Sequence, residues 1–485
     1  MPSTNSTHAR ILDNITALAL AQLITTAASF VSTAWVARSL GPEGYGIIGF
    51  GTAFVSYFSL LIILGTDVYG VREIAKFPDQ SERLVSRILG LRFGLAVLAL
   101  ATYFFFIWFM DQSQTVKIVM TIQAIGPATV VIAVDFIFEG HQKMRPVAVR
   151  GAGTSLLALA AVLFFIRDSD DLFIAAAIPV LATAIGILWL TLLANKRLVP
   201  LQLSFQKNSL IKVARDCLPI AFGVFLSAIF FHVDIVMLGL LRSKFETGLY
   251  TGMARLLMVT FAFGHLVTTG FRPVLAAAFS KSSEMFLQYK SNVVAVVLLG
   301  FPIIAAVILF SKEIILLVFG LKFSGGVSTL IILHVAAIFY YSIIAASSAL
   351  ISWNDQIGHM WIYAMAAASN VILNLVLIPN YGIDGAAWAT LISTLVMLIG
   401  FSSRLFFKFA IRVWHPILLL LVCAIGSFWI AKLFFSFIAG WPLFVSLIGS
   451  AVLGTLLFFS FAILLRIVTL KNITKLFLDL INFKT

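Results

Sequence analysis

Long apolar runs separated by short polar breaks organise this chain from end to end. A helix that crosses a bilayer needs about 20 mostly apolar residues. That length partitions the sequence into fourteen segments, at 15–37, 45–66, 88–110, 117–138, 147–166, 172–194, 217–241, 248–272, 292–310, 326–352, 359–378, 385–407, 415–436 and 442–465. Inside lipid a backbone must satisfy its own polar groups, so each run is expected to be helical. An even number of crossings places both termini on one side. The longest polar break, "NKRLVPLQLSFQKNSLIKVARD" at 195–216, separates six segments from eight. The pattern predicts an all-α polytopic membrane protein with about 14 transmembrane helices. Residues 1–194 read as an N-terminal six-helix lobe, 195–216 as a cytoplasmic linker, 217–410 as a C-terminal six-helix lobe, and 411–466 as two additional helices. Residues 467–485 read as an interfacial cytoplasmic tail, with Leu470, Ile473, Phe477, Leu480 and Ile481 toward one face.

A weak internal repeat supports the two lobes. "ARSLGPEGYG" after the first segment and "LLRSKFETGLY" after the seventh share Arg-x5-Gly, as Arg38 with Gly44 and Arg242 with Gly248, both 204 residues apart. "FEGHQK" and "SWNDQI", after the fourth and tenth segments, set Gln142 against Gln356 at an offset of 214. Transporters often place the substrate path between such repeats.

Composition agrees with the pattern: 61% of residues are hydrophobic, 11% are charged, and 45 are Phe. The polar N-terminal stretch shows no cleavage pattern, so the first helix is expected to act as its own insertion signal. Cys217 and Cys423 both lie at or within apolar segments, which argues against a disulfide framework or a thiolate metal site. With the N-terminus taken as cytoplasmic, 23 of the 33 Lys and Arg residues fall on inner segments and 8 on outer ones. That asymmetry places both termini in the cytoplasm. The net charge of +13 therefore belongs to loops beside an anionic inner leaflet and calls for no nucleic acid.

Four charges remain within segments: Arg92, Asp135, Asp234 and Arg255. Each costs roughly 2.5–3.5 kcal/mol at a helix centre, so each should face the protein interior, pair, or snorkel. Asp234 and Arg255 each lie about 10 Å from the outer boundary, on consecutive antiparallel helices. Either they pair, or they open onto a water-filled cavity where Arg255 meets an anionic group. Arg92 and Asp135 share a shallow depth at the cytoplasmic side and are expected to form a structural or gating ion pair. His232 and His265 read as interior hydrogen-bonding residues, because no partner stands at metal-ligand spacing. "GYGIIGFG" opens a membrane segment with no preceding strand or following Lys-Ser/Thr, so it is not a phosphate loop. No nucleophile–base arrangement appears on the short outer loops, which argues against an enzyme such as a membrane glycosyltransferase or O-antigen ligase.

The stretch "ARSLGPEGYGIIGFGTAFVSYFSLLIILGTDVYGVREIAK" at 37–76 resembles the first two helices of the bacterial polysaccharide (O-antigen type) repeat-unit flippases. These belong to the multidrug/oligosaccharidyl-lipid/polysaccharide exporter superfamily. "FFHVDIVMLGLL", "ETGLYTGMARLL" and "PNYGIDGAAWATLIS" at 379–393 are similar to the superfamily more widely. The resemblance implies a V-shaped alternating-access bundle in the bacterial inner membrane that moves undecaprenyl-diphosphate-linked oligosaccharide to the outer leaflet. It implies membrane lipids as surroundings and a polysaccharide polymerase and chain-length regulator as partners. No cofactor is expected, although Asp234 is a candidate for proton or sodium coupling. The candidate cavity residues are Asp234, Arg255, Arg38, Tyr250, His265 and Ser227. A cation-coupled multidrug exporter of the same superfamily is the alternative expectation.

Overall fold

A computed structural model describes residues 4–411, 415–438 and 440–465. Among these residues there is no β-strand, and twelve helices are long and apolar enough to cross a membrane. The expected tail at 467–485 lies outside the described residues. Two compact units are formed, Met1–Gly239 with Ser243–Gly248, and Leu240–Arg242 with Leu249–Thr485.

The helices of the first unit are α1 Thr4–Ile63, α2 Thr66–Lys76, α3 Ser81–Phe109, α4 Gln114–Gln123, α5 Ile125–Val130, α6 Asp135–Gly140, α7 Met144–Phe165, α8 Leu172–Arg197 and α9 Lys207–Leu241. The second unit takes most of α10 Lys244–Ala277, then α11 Ser282–Leu309, α12 Ser311–Val318, α13 Val327–Ser352, α14 Gln356–Phe409, α15 His415–Phe437 and α16 Leu443–Leu464.

Helices α1 and α14 contain 60 and 54 residues, nearly three times the roughly 20 that a bilayer needs. Both are broken near the middle. Gly41 has φ 72 and precedes Pro42, which cannot donate to the preceding turn; Gly382 has φ 56 and follows Pro379. Divided at these glycines, each of the two helices supplies two segments of spanning length.

The fourth segment departs from expectation. It reads as one span over 117–138, yet it is interrupted into α4, α5 and α6, with residues 131–134 non-helical. Backbone carbonyls freed inside a membrane need other donors. Thr191 Oγ1 of α8 supplies one to Ile132 O at 2.7 Å, and Arg92 Nη1 of α3 supplies one to Ala133 O at 2.7 Å.

The stretch at 195–216 is packed into the first unit. Ser204 N donates to Ser86 O at 3.0 Å, and Leu201 N to Asn195 Oδ1 at 2.8 Å. Val199, Val213 and Cys217 join a core with Ile88, Leu89 and Phe136. Because α9 packs with the first unit, the units divide at Gly239–Leu249 and not at the polar stretch. In the second unit α15 and α16 pack on α11, with Lys432 Nζ 2.6 Å from Glu313 Oε1.

The repeat has a structural counterpart. Gln142 and Asn354 both adopt φ 57 immediately beyond helix ends. Around them, Lys143 N reaches Phe138 O and Asp355 N reaches Leu350 O, each at 2.8 Å, the long bond of a Schellman-type helix end. These turns correspond at an offset of 212, two residues from the Gln142–Gln356 match.

Asp355 closes the second of these turns with a buried carboxylate. Arg404 grips it through Nε and Nη2 at 2.7 and 2.8 Å, and Lys408 Nζ adds a contact at 2.8 Å. Hydrogen bonding from Arg404, then from Lys408, holds this carboxyl down to about 2. A depressed carboxylate pKa gives stability that is complete above the unfolded value and lost as pH falls through the folded one. Asp355→Asn is expected to cost about 1–2 kcal/mol near neutrality, allowing for solvent screening of the half-exposed cations. Thermal unfolding across pH checks this: the gap to wild type should close between about pH 4 and pH 2.

Candidate functional site

In the first unit the charges within segments are arranged by the interrupted fourth segment. Arg92 is fully buried. Its Nε donates to Thr66 Oγ1 at 2.8 Å, its Nη2 to Asp67 Oδ1 at 2.5 Å, and its guanidinium lies over the Phe136 ring at 5.3 Å. With the bond to Ala133 O, this guanidinium joins the start of α2 to the break between α5 and α6. The expected Arg92–Asp135 pair does not form. The break presents a carbonyl to Arg92, and Asp135 instead accepts from Arg150 Nε at 2.8 Å and Nη2 at 2.7 Å. Asp67 was not visible as a partner because it follows the second apolar run, in a sequence that reads as loop.

Of the cavity candidates, Asp234 and Ser227 lie on α9 in this unit. Asp234 is buried and sits within electrostatic range of Tyr57, whose hydroxyl has no hydrogen-bond partner among the described residues. The Tyr57 ring meets Phe225 edge-on at 5.8 Å. Ser227 is half-buried and returns its hydroxyl to Gly223 O at 3.0 Å. Arg38 is exposed near the kink at Gly41.

The two stretches around Gly44 and Gly248, the glycines of the Arg-x5-Gly match, come together within this unit. A Cβ added to Gly248 would lie 1.7 Å from Pro42 O, and one added to Gly46 would lie 1.9 Å from Lys244 O. Only two glycines allow backbones to cross this closely. Lys244 reinforces the crossing by donating to Gly239 O and by placing Nζ 4.3 Å from the Phe50 ring centroid.

In the second unit, Arg255 is half-buried, and its buried Nε has no hydrogen-bond partner among the described residues. Tyr250 is buried, with its hydroxyl 3.3 Å from Thr390 Oγ1. His265 is exposed at the edge of Tyr340, ring centroids 6.2 Å apart. Around them lies a polar interior that the pattern of charges does not reveal. Thr260 Oγ1 lies 3.2 Å from His334 Nε2, Tyr341 donates to Thr260 O, and Asn374 Nδ2 donates to Asn370 Oδ1 at 3.1 Å. The Asn370–Asn374 spacing, four residues apart in an apolar run, is the signal that could have revealed it. Among the described residues no group of three His, Cys, Asp or Glu side chains could hold a metal ion.

Residues 11–263 match a family described as polysaccharide biosynthesis proteins. A protein of Escherichia coli, provisionally named an O-antigen transporter, is 24% identical over 201 residues, covering 40% of this chain and 47% of that one. The chain thus spans about half the length of that curated relative. Two solved structures share the fold. The lipid II flippase MurJ, in an inward closed conformation, has a TM-score of 0.74 at 14% identity, covering 92% of this chain and 98% of that one. An inward-facing multidrug resistance transporter of the MATE family in the MOP superfamily has a TM-score of 0.62 at 16% identity, covering 80% and 96%. With the apolar helices and the matched half of its length, this multi-pass membrane protein belongs to the polysaccharide biosynthesis protein family.

Proposed function

We propose that the chain is a flippase. It moves undecaprenyl-diphosphate-linked oligosaccharide repeat units from the cytoplasmic to the outer leaflet of a bacterial inner membrane, by alternating access and with both termini cytoplasmic. The observation that carries this reading is Arg255, a half-buried guanidinium within a membrane segment whose Nε has no partner among the described residues. An unpaired donor in such a place is costly unless a ligand completes it. A diphosphate supplies charge-assisted acceptors of the right kind. The family membership and the naming of the E. coli relative support a glycan cargo. Buried Asp234 is the candidate coupling site for a proton or sodium, and a polysaccharide polymerase and chain-length regulator are the expected partners.

Arg255→Gln is expected to lower translocation of the lipid-linked oligosaccharide in proteoliposomes by about tenfold or more, with unchanged protein level. Arg255→Lys should retain part of the rate. Equal rates in wild type and Arg255→Gln would remove Arg255 from the substrate path.

The fold shared with the multidrug transporter supports a second reading, a cation-coupled drug exporter. Movement of an organic cation but of no lipid-linked sugar would favour it.

A further inference from the structure

A cleft of about 500 Å³ lies in the first unit where α2 meets the start of α9. Tyr69, Arg72 and Glu73 form one wall, and Lys212, Arg215 and Asp216 the other. The distribution of Lys and Arg places both walls at the cytoplasmic side.

The cleft is held by backbone. Gly65, at φ 71, turns the chain so that α2 leaves the second segment, and a Cβ there would lie 3.0 Å from Ala221 N of α9. Tyr69 is buried between the walls. Its hydroxyl donates to Asp216 Oδ2 at 3.4 Å, and its ring lies beneath the Arg72 guanidinium at 5.6 Å. Both carboxylates are thereby engaged, since Glu73 contacts Arg72 at 3.1 Å and Lys76 at 3.9 Å. Lys212 and Arg215 have no ion-pair partner among the described residues, so two cations face the cleft uncommitted.

Exposed apolar side chains flank these cations. Val68, Ile211 and Leu218 are 56%, 56% and 54% exposed. A surface with cations beside exposed aliphatic groups, next to a membrane segment, matches the boundary between phosphate headgroups and acyl chains. A soluble phosphate would have no use for the aliphatic flank.

We propose that this cleft binds the phosphoryl headgroup of a lipid in the cytoplasmic leaflet, and that its ligand is the diphosphate of the polyprenyl carrier, held before it enters the translocation path. The proposal rests on the flippase reading above. Three cations spread over two helices suit a two-phosphate group better than a single phosphodiester, because Arg and Lys can each take a separate oxygen.

The test titrates the full-length protein in detergent micelles with undecaprenyl diphosphate, and separately with phosphatidylglycerol, and reads bound lipid by native mass spectrometry. The triple variant Arg72→Gln, Lys212→Gln, Arg215→Gln is expected to lose about tenfold or more in affinity for undecaprenyl diphosphate. Its affinity for phosphatidylglycerol should change little, and Lys76→Gln should bind as wild type. Lys212→Glu, a single exposed change, provides a second variant and should weaken binding in the same order. Equal losses for both lipids would assign the cleft to ordinary phospholipid and overturn the carrier assignment. Unchanged affinity for undecaprenyl diphosphate would overturn the site. Because binding is read without transport, a chain that binds through the cleft but moves no lipid contradicts the flippase reading alone.

Discussion

Arg92→Met is expected to destabilise the first unit by about 2–5 kcal/mol, chiefly from leaving two interior acceptors without their donor at about 1–3 kcal/mol each. Asp67 is 45% exposed and can be rehydrated, but Thr66 and the carbonyl of Ala133 lose their donor in the interior. The carbonyl matters most, since it belongs to the interruption between α5 and α6 and has no helical donor to return to. Arg92→Lys should fall between the two, because an ammonium keeps the charge but cannot present three donors in a planar fork. Asp67→Asn combined with Arg92→Met should cost less than the sum of the single changes, since both break the same contact. Thermal unfolding in detergent and protein level in membranes check this. An Arg92→Met protein as stable as wild type would show that the guanidinium does not hold the broken segment.

Gly248→Val is expected to cost about 3 kcal/mol or more, at or above the upper end of ordinary overpacking. The obstacle is backbone on both sides: Pro42 O would lie 1.7 Å and Gly46 N 2.9 Å from the new Cβ. Neither can rotate away, so the two backbone stretches must separate, and the contact between Lys244 and Phe50 goes with them. Gly46→Ala should behave alike, with Lys244 O at 1.9 Å. Gly223→Ala serves as the control, because a Cβ there meets nothing within 4 Å. If Gly248→Val and Gly223→Ala unfold at the same temperature, the crossing is not the close backbone contact described here.

Apolar run length made the helices legible, because lipid leaves a chain few alternatives. It could not show where a run is continuous. Residues 117–138 stay apolar through the break, and nothing in that composition reveals that Arg92 and Thr191 supply donors from α3 and α8. The same limit explains the missed partner of Arg92. Depth within a segment places two charges at one level but does not choose between a carboxylate and a carbonyl there. Polarity misled at 195–216, where Val199 and Val213 sit among charged residues yet enter the core. The repeat was legible in its loops, and the Schellman-type turns at Gln142 and Asn354 sharpen its register, because a left-handed residue after a helix is fixed by geometry more than by residue identity. Arg255 and Asp234 stand out as candidates by their charge within apolar runs. The polar interior of Asn370, Asn374 and Thr390 does not, since amides and hydroxyls weigh little against a long apolar background.

The most direct test of the central claim is movement of the cargo itself. Purified protein is placed in liposomes holding undecaprenyl-diphosphate-linked oligosaccharide, and the sugar reaching the opposite leaflet is read by an impermeant glycosidase. The account predicts movement that depends on the protein and is weakened by Arg255→Gln. No protein-dependent movement of the lipid-linked sugar, in liposomes where the same protein exports an organic cation, would contradict it.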